Sequence, residues 1–176
     1  MIISCHNCTL RPWQASDKEA LLKHANNYKI WQNLRDRFPH PYTAADADWW
    51  LQHAGKQQAF SQFAIDVKGE AVGGIGLELQ QDVERVSAEL GYWLGESFWG
   101  QGIITVAIKE LTGWAIPALS LSRIYALPFI HNGGSVRALE KAGYQREGIL
   151  KRSAIKEGRI IDQVMYAFTD ADLVLV

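Results

Sequence analysis

The chain has 176 residues, of which 48% are hydrophobic and 21% charged, enough for one domain with a sizeable core. Its formal net charge of −1 argues against a strong electrostatic hold on nucleic acid or an anionic membrane. No apolar run approaches the roughly 18 residues needed to cross a bilayer, and the first residues lack the basic start and apolar core of a signal peptide, so the expected location is cytoplasmic.

Ile2 to Leu10 reads as a first strand. Ser16-Asp17-Lys18-Glu19 has the form of a capping box, and Leu21, Leu22, Ala25 and Tyr28 follow at helical spacing. Pro39 and Pro41 punctuate a loop. Thr43 then caps a second helix with Ala47, Trp50, Leu51 and Ala54 on one face. Trp49 and Trp50 are adjacent and cannot share a face, so one is expected to pack inward and the other to lie at a rim. Phe63, Ile65 and Val67 alternate as a strand that turns at Lys68-Gly69-Glu70 into a third strand, Ala71 to Leu79. Gly73, Gly74 and Gly76 predict a bulge or a close backbone approach there. Arg85 to Leu94 gives a fourth strand.

A helix follows Gly102 and ends near Pro117, with Ile104, Ala107, Ile108, Leu111 and Ala115 on one face. Arg123 to Phe129 reads as a fifth strand. Asn132 caps a short helix with Val136 and Leu139 on its face and Gly143 as its left-handed stop. Two strands, Tyr144 to Ile155 and Arg159 to Thr169, flank the tight turn Lys156-Glu157-Gly158. The order βαα-βββ-α-β-α-ββ predicts one domain, residues 1–176, of mixed α/β (α+β) class: about seven strands in a mostly antiparallel sheet, with helices on both faces.

The two cysteines, Cys5 and Cys8, form a C-x-x-C pair around His6. A structural zinc needs about four ligands and no second pair exists; a redox pair should open a helix after a strand, whereas Thr9-Leu10-Arg11-Pro12 continues extended. Two reduced thiols and no metal are expected. The stretch Ala88 to Leu111 carries more. A strand runs into Gly100-Gln101-Gly102 and a helix starts at once. Glycines let backbone N–H groups approach a ligand, and the first N–H groups of a helix lack internal partners at the positive end of its dipole. That suits a phosphate or pyrophosphate. Glu89 lies on the strand that feeds this turn, which suggests chemistry on a phosphate-bearing cofactor.

Three segments carry a resemblance. They are Ala88-Glu89-Leu90-Gly91-Tyr92-Trp93-Leu94 with Trp99-Gly100-Gln101-Gly102; Asn132-Gly133-Gly134-Ser135 with Leu139-Glu140-Lys141-Ala142-Gly143-Tyr144; and Glu147-Gly148 with Gly158, Asp162 and Tyr166. In this order the chain resembles the GCN5-related N-acetyltransferases (GNAT), and within them the branch that includes the ribosomal-protein N-terminal acetyltransferases. Leu10-Arg11-Pro12-Trp13 and Phe38-Pro39-His40-Pro41-Tyr42-Thr43 also fit that branch. The resemblance implies a sheet with a V-shaped split between the fourth and fifth strands, and acetyl-CoA as co-substrate. It implies that the pantetheine arm pairs with the backbone near Tyr92, Trp93 and Leu94, and that the pyrophosphate sits on Gln101, Gly102, Ile103, Ile104 and Thr105. Asn132 is then expected to contact the pantetheine arm. Two positions depart from the signature: Trp99 stands first, as is common in the branch, and Ile104 stands where a small residue is usual, narrowing the approach of the pyrophosphate.

By the same resemblance Glu89 is the general base, directly or through water, and Ser135 hydrogen-bonds the cofactor sulfur and protonates the departing thiolate. A strand carboxylate facing solvent and a plain helix cap are the structural alternatives for these residues. A lysine-like amine of pKa about 10.4 costs roughly 4.6 kcal/mol to deprotonate at pH 7, and an N-terminal amine of pKa about 8 only about 1.4 kcal/mol, so a weak base suffices for a peptide N-terminus. Tyr144 is expected to pack rather than act as an acid, and Lys141 to be an exposed helix residue. The loop Trp31 to Tyr42, with aromatics beside charges, is expected to cover the acceptor side. A bulge near Leu90-Gly91 is expected to free an N–H for the thioester carbonyl.

The function expected is acetyl transfer to a primary amine, on a protein N-terminus or a small molecule, by direct attack in a ternary complex. The rival is a non-catalytic acyl-CoA-binding or sensing module. A Rossmann-type nucleotide binder is disfavoured by the missing G-x-G-x-x-G and the antiparallel strand run. No nucleic-acid or membrane partner is expected. Dimers are common among relatives, which puts a homodimer within the expectation.

Overall fold

The structure is a computed structural model that describes residues 1–56 and 61–175. Its strands are β1 (Ile3–Ser4), β2 (Thr9–Arg11), β3 (Gln62–Val67), β4 (Glu70–Leu79), β5 (Ser87–Leu94), β6 (Arg123–Ala126), β7 (Gln145–Lys156) and β8 (Arg159–Thr169). Its α-helices are α1 (Lys18–Ala25), α2 (Tyr28–Trp31), α3 (Ala44–Gly55), α4 (Ile103–Ala118) and α5 (Gly133–Lys141). The strand order is β1-β2-β3-β4-β5-β6-β8-β7, a mixed α/β sheet in which the resolved pairings are antiparallel except for β5 with β6. The chain forms two compact units, Met1–Gly76 with Tyr92–Ala107, and Leu77–Gly91 with Ile108–Val176. No helix among the described residues is long and apolar enough to cross a membrane.

In the first unit the expected opening strand is two. Cys5 N–H donates to the Cys8 carbonyl at 3.0 Å, and Ile3 and Ser4 pair with Leu10 and Thr9, so His6-Asn7 is a hairpin turn. The polar pair interrupts the apolar pattern, so the described residues form eight strands where about seven are expected. Ser16 does not cap the first helix. The Asp17 carboxylate is occupied by both terminal nitrogens of Arg11 at 2.8 Å and by Gln14 N–H at 2.8 Å, and Ala15–Asp17 becomes a 3₁₀ turn. The helix also stops early, at Ala25. Asn27 accepts Lys29 N–H at 2.8 Å and starts α2, so Tyr28 belongs to a separate short helix. An internal N-cap competes with helix continuation because its side chain supplies the acceptor that the preceding turn would have supplied.

Thr43 caps α3 as expected, and Asp46 completes a capping box with it as reciprocal partner. Trp50 meets Trp13 edge-on at 6.1 Å, while Trp49 is 62% exposed and stacks on His53 at 4.9 Å. Trp13, Leu21, Ala25, Tyr42, Ala47, Ala64 and Ala71 form the core here, with Phe38, Trp50 and Trp93 packed against it. The glycines of β4 mark close approach. A Cβ at Gly73 would lie 2.4 Å from the Trp93 carbonyl oxygen, and one at Gly74 would lie 2.8 Å from the Trp93 indole nitrogen.

In the second unit β5 runs parallel to β6 through three registers, Ser87↔Arg123, Ala88↔Ile124 and Glu89↔Tyr125. This short parallel pair is where the expected split of the sheet falls. β6 ends at Ala126, earlier than expected, and Phe129 keeps only an isolated bridge to Gln163. β7 and β8 form a long hairpin closed by Glu157 and Gly158, both at positive φ (49° and 74°), the pairing that a two-residue turn with the strands' own twist requires. The buried interior includes Ile108, Leu111, Ile124, Leu139, Val164 and Phe168. Tyr144 is buried there as expected, its hydroxyl 2.7 Å from Thr112 Oγ1 and its ring 5.6 Å from Phe168.

Candidate active site

The turn that ends the loop after β5 is built by backbone conformation. Gly100 and Gly102 have φ of 75° and 76°, values that favour glycine, and a Cβ at either position would meet nothing within 4 Å. The turn is therefore open on the side those hydrogens face. The first intrahelical bond of α4 runs from Val106 N–H to the Gly102 carbonyl at 3.1 Å. The amides of Ile103, Ile104 and Thr105 thus precede the helical ladder, and they sit at the positive end of a 16-residue helix. That arrangement fits a diphosphate.

Ile103, not Ile104, heads the buried stripe that continues through Ala107, Ile108, Leu111 and Ala115. Ile104 and Thr105 are half-buried at the edge. The physical reason is phase: with the helix opening at Ile103, residues four apart from it point inward, and Ile104 is rotated off that line.

Side chains fix the turn from below. Gln101 Nε2 donates to the Ser97 carbonyl at 3.0 Å, and the Gln101 carbonyl accepts Asn7 Nδ2 at 3.4 Å. Trp99 Nε1 donates to the Leu94 carbonyl at 2.7 Å, so the signature's unusual first residue ties the loop to the end of β5. Trp93 lies over Gly74 and meets Phe38, from the aromatic loop, at 5.7 Å between rings.

In the second unit Glu89 is half-buried on β5 opposite Tyr125. Asn132 caps α5 through its side-chain oxygen, which accepts Ser135 N–H at 3.2 Å, and Ser135 is half-exposed in the first turn. Gly143 stops the helix at φ 95°. Lys141 is exposed. Tyr166 donates to Glu140 at 2.7 Å, and burial, then this carboxylate, push its phenol above the ordinary value.

Cys5 and Cys8 stand on either side of the β1–β2 turn, Cys8 buried. Among the described residues no group of three or more His, Cys, Asp or Glu side chains is placed to hold a metal ion. Sequence reasoning missed the residues that hold the loop from the side, Glu96, Asn27 and His24. The signal was the Asn26-Asn27 pair, two residues that favour caps, inside what reads as one continuous helix.

Residues 7–145 match the model of the Acetyltransferase (GNAT) domain. The chain belongs to the GNAT family. The activity is N-acetylation with acetyl-CoA as the acetyl donor. Among its relatives is an uncharacterized N-acetyltransferase of Bacillus licheniformis, 28% identical over 162 residues, 90% of either chain. The ribosomal-protein-serine acetyltransferase of Escherichia coli is 30% identical over 105 residues, 60% of this GNAT chain and 58% of the relative. In fold it is similar to the ribosomal-protein alpha-N-acetyltransferase RimL in complex with coenzyme A, with a TM-score of 0.84 at 23% identity, covering 96% of this chain and 98% of that one.

Proposed function

We propose that this GNAT chain acts as a single N-acetyltransferase domain, residues 1–176, that acetylates a primary amine by direct attack on the thioester with both substrates bound. The observation that carries the reading is the turn at Gly100-Gln101-Gly102, whose geometry leaves the Ile103, Ile104 and Thr105 amides for the diphosphate. Acetyl-CoA supplies the activated acyl group. Tyr92, Trp93 and Leu94 offer strand backbone to its pantetheine arm, and the Asn132 amide, whose oxygen is spent on the cap, donates from nitrogen.

Glu89 draws the proton from the attacking amine, directly or through one water. The new C–N bond forms as the C–S bond breaks, and Ser135 delivers a proton to the leaving sulfur. A backbone N–H freed near Leu90-Gly91 polarises the thioester carbonyl. An N-terminal amine asks less of the base than a lysine does, by about 3 kcal/mol at pH 7, and a half-buried carboxylate meets that smaller demand. The Escherichia coli relative's name, a ribosomal-protein-serine acetyltransferase, supports a ribosomal protein as acceptor and, with it, a cytoplasmic location. The proposal needs no nucleic-acid or membrane partner and is compatible with a homodimer.

The test is an acceptor screen at fixed acetyl-CoA, following thiol release across peptide N-termini and small amines. Release that depends on the amine is expected. Coenzyme binding with no transfer to any amine would favour a sensing module instead.

A further inference from the structure

The loop Gly95–Gly102 is keyed to the segment that leads into the aromatic loop. The Glu96 carboxylate accepts Asn27 Nδ2 at 2.8 Å and pairs with Lys29 Nζ. Asn27 uses its other amide atom to cap α2, accepting Lys29 N–H. The preceding residue, Asn26, accepts Tyr42 N–H at 3.0 Å and so holds the far end of the loop. Gly95 N–H donates to the Val72 carbonyl at 2.7 Å, and a Cβ at Gly95 would lie 2.9 Å from His24 Nδ1. The His24 ring meets Phe98 edge-on at 5.6 Å, and its other nitrogen lies 2.8 Å from Glu70.

These contacts are poor candidates for simple stabilisation. The side chains of Lys29 and Glu96 are 61% and 39% exposed, and ion pairs of that exposure contribute little to folding. Their placement is specific all the same. One carboxylate receives Asn27, the cap of α2, and Lys29 within it on one side, and belongs to the coenzyme-side loop on the other. Lys29, then Asn27, hold that carboxyl below the ordinary carboxylate range, so it is charged at neutral pH.

We infer that Glu96 is a positioning residue that couples coenzyme binding at the Gln101–Thr105 turn to the ordering of residues 27–42 on the acceptor side. The inference rests on the reading of that turn as the diphosphate site. Coenzyme that immobilises the turn immobilises Glu96. Glu96 then holds Asn27 and Lys29, and the Asn26–Tyr42 bond carries the restraint to the end of the loop. Coupling of this kind is reciprocal, so an ordered acceptor loop also tightens coenzyme binding.

The test is amide hydrogen exchange of the full chain with and without saturating coenzyme A, beside calorimetry of the same titration. In the wild type, coenzyme A should slow exchange across 27–42 by about tenfold, within the range of typical site-to-site coupling. In Glu96→Ala and Lys29→Met the coenzyme should still bind and still protect 101–105, while protection of 27–42 is lost. The swap Glu96→Lys with Lys29→Glu should restore part of it. Both changes are on exposed side chains, and a thermal melt checks that the variants fold. Equal protection of 27–42 in wild type and both single variants overturns the inference, as does bound coenzyme with no protection there in the wild type. Absence of binding heat in the wild type would instead bring down the diphosphate reading and this inference with it.

Discussion

The side-chain oxygen of Asn132 accepts the backbone N–H of Ser135 at 3.2 Å, so a single asparagine closes the start of α5 and still has its amide nitrogen to offer. The cap and the proposed coenzyme contact fall on different atoms. They can therefore be separated by substitution, which plain capping and plain ligand contact would not allow.

Asn132→Ala should cost about 1 kcal/mol of stability through the lost cap. Asn132→Asp keeps an oxygen for Ser135 N–H and loses only the donor. It should melt near the wild-type temperature yet bind coenzyme A about tenfold more weakly, the scale of one hydrogen bond. Calorimetry of unfolding and of binding reads the two effects apart.

Glu89→Gln should lower turnover about a hundredfold, the usual contribution of a positioned base, with coenzyme affinity little changed. A pH–rate profile distinguishes this from a structural loss, since the variant should lose its acid limb. Turnover equal to wild type across pH would remove Glu89 from the mechanism.

The buried pair Thr112 and Tyr144 makes a different point. Thr112→Val removes the 2.7 Å bond between Thr112 Oγ1 and the Tyr144 hydroxyl and should cost about 1 kcal/mol. Adding Tyr144→Phe should recover much of the loss in a denaturant titration, because both polar atoms are then gone. Tyr144→Phe alone should keep its turnover. A large fall in turnover at unchanged stability would make the phenol an acid after all.

Glycine substitutions along the strands should sort by what surrounds them. Gly74→Ala forces the added methyl against the Trp93 and Trp13 indoles and should cost about 1–3 kcal/mol, with a change in tryptophan fluorescence. Gly91→Ala meets nothing within 4 Å and should change stability by no more than about 0.5 kcal/mol.

Acid should weaken the anchor beneath His24. Lys23, then His24, hold the Glu70 carboxyl below its ordinary value of 4.5. Folding favours the ionised form, so this contribution is complete above the unfolded-chain value and fades as pH falls through the lower folded one. The side chains of Lys23 and Glu70 are 63% and 38% exposed, which limits the effect to below about 1 kcal/mol. Denaturant midpoints of wild type and Glu70→Gln should differ at neutral pH and converge once the pH has fallen below the lowered folded value of Glu70.

Much of this was legible along the chain. The β3–β4 turn, the Thr43 cap, the start of α5 at Asn132, the Gly158 hairpin and the turn at Gly100-Gln101-Gly102 are each specified by neighbouring residues, and each forms as the local pattern predicts. The misreadings have more than one cause. The opening strand folds back at His6-Asn7, and Ser16 is displaced as a cap because Asp17 is claimed by Arg11. The first helix breaks at the Asn26-Asn27 pair, whose side chains are taken by Tyr42 and by Glu96, some 16 and 69 residues along.

Local spacing determined the elements and the conformation of the Gly100-Gln101-Gly102 turn, because helix periodicity, strand alternation and glycine's positive φ are set by residues a few places apart. Only the folded chain decided which polar side chains were already committed. Hydrogen-bond partners such as Arg11 with Asp66, Thr112 with Tyr144 and Asn27 with Glu96 are distant in sequence, and each carboxylate or amide has few positions to share.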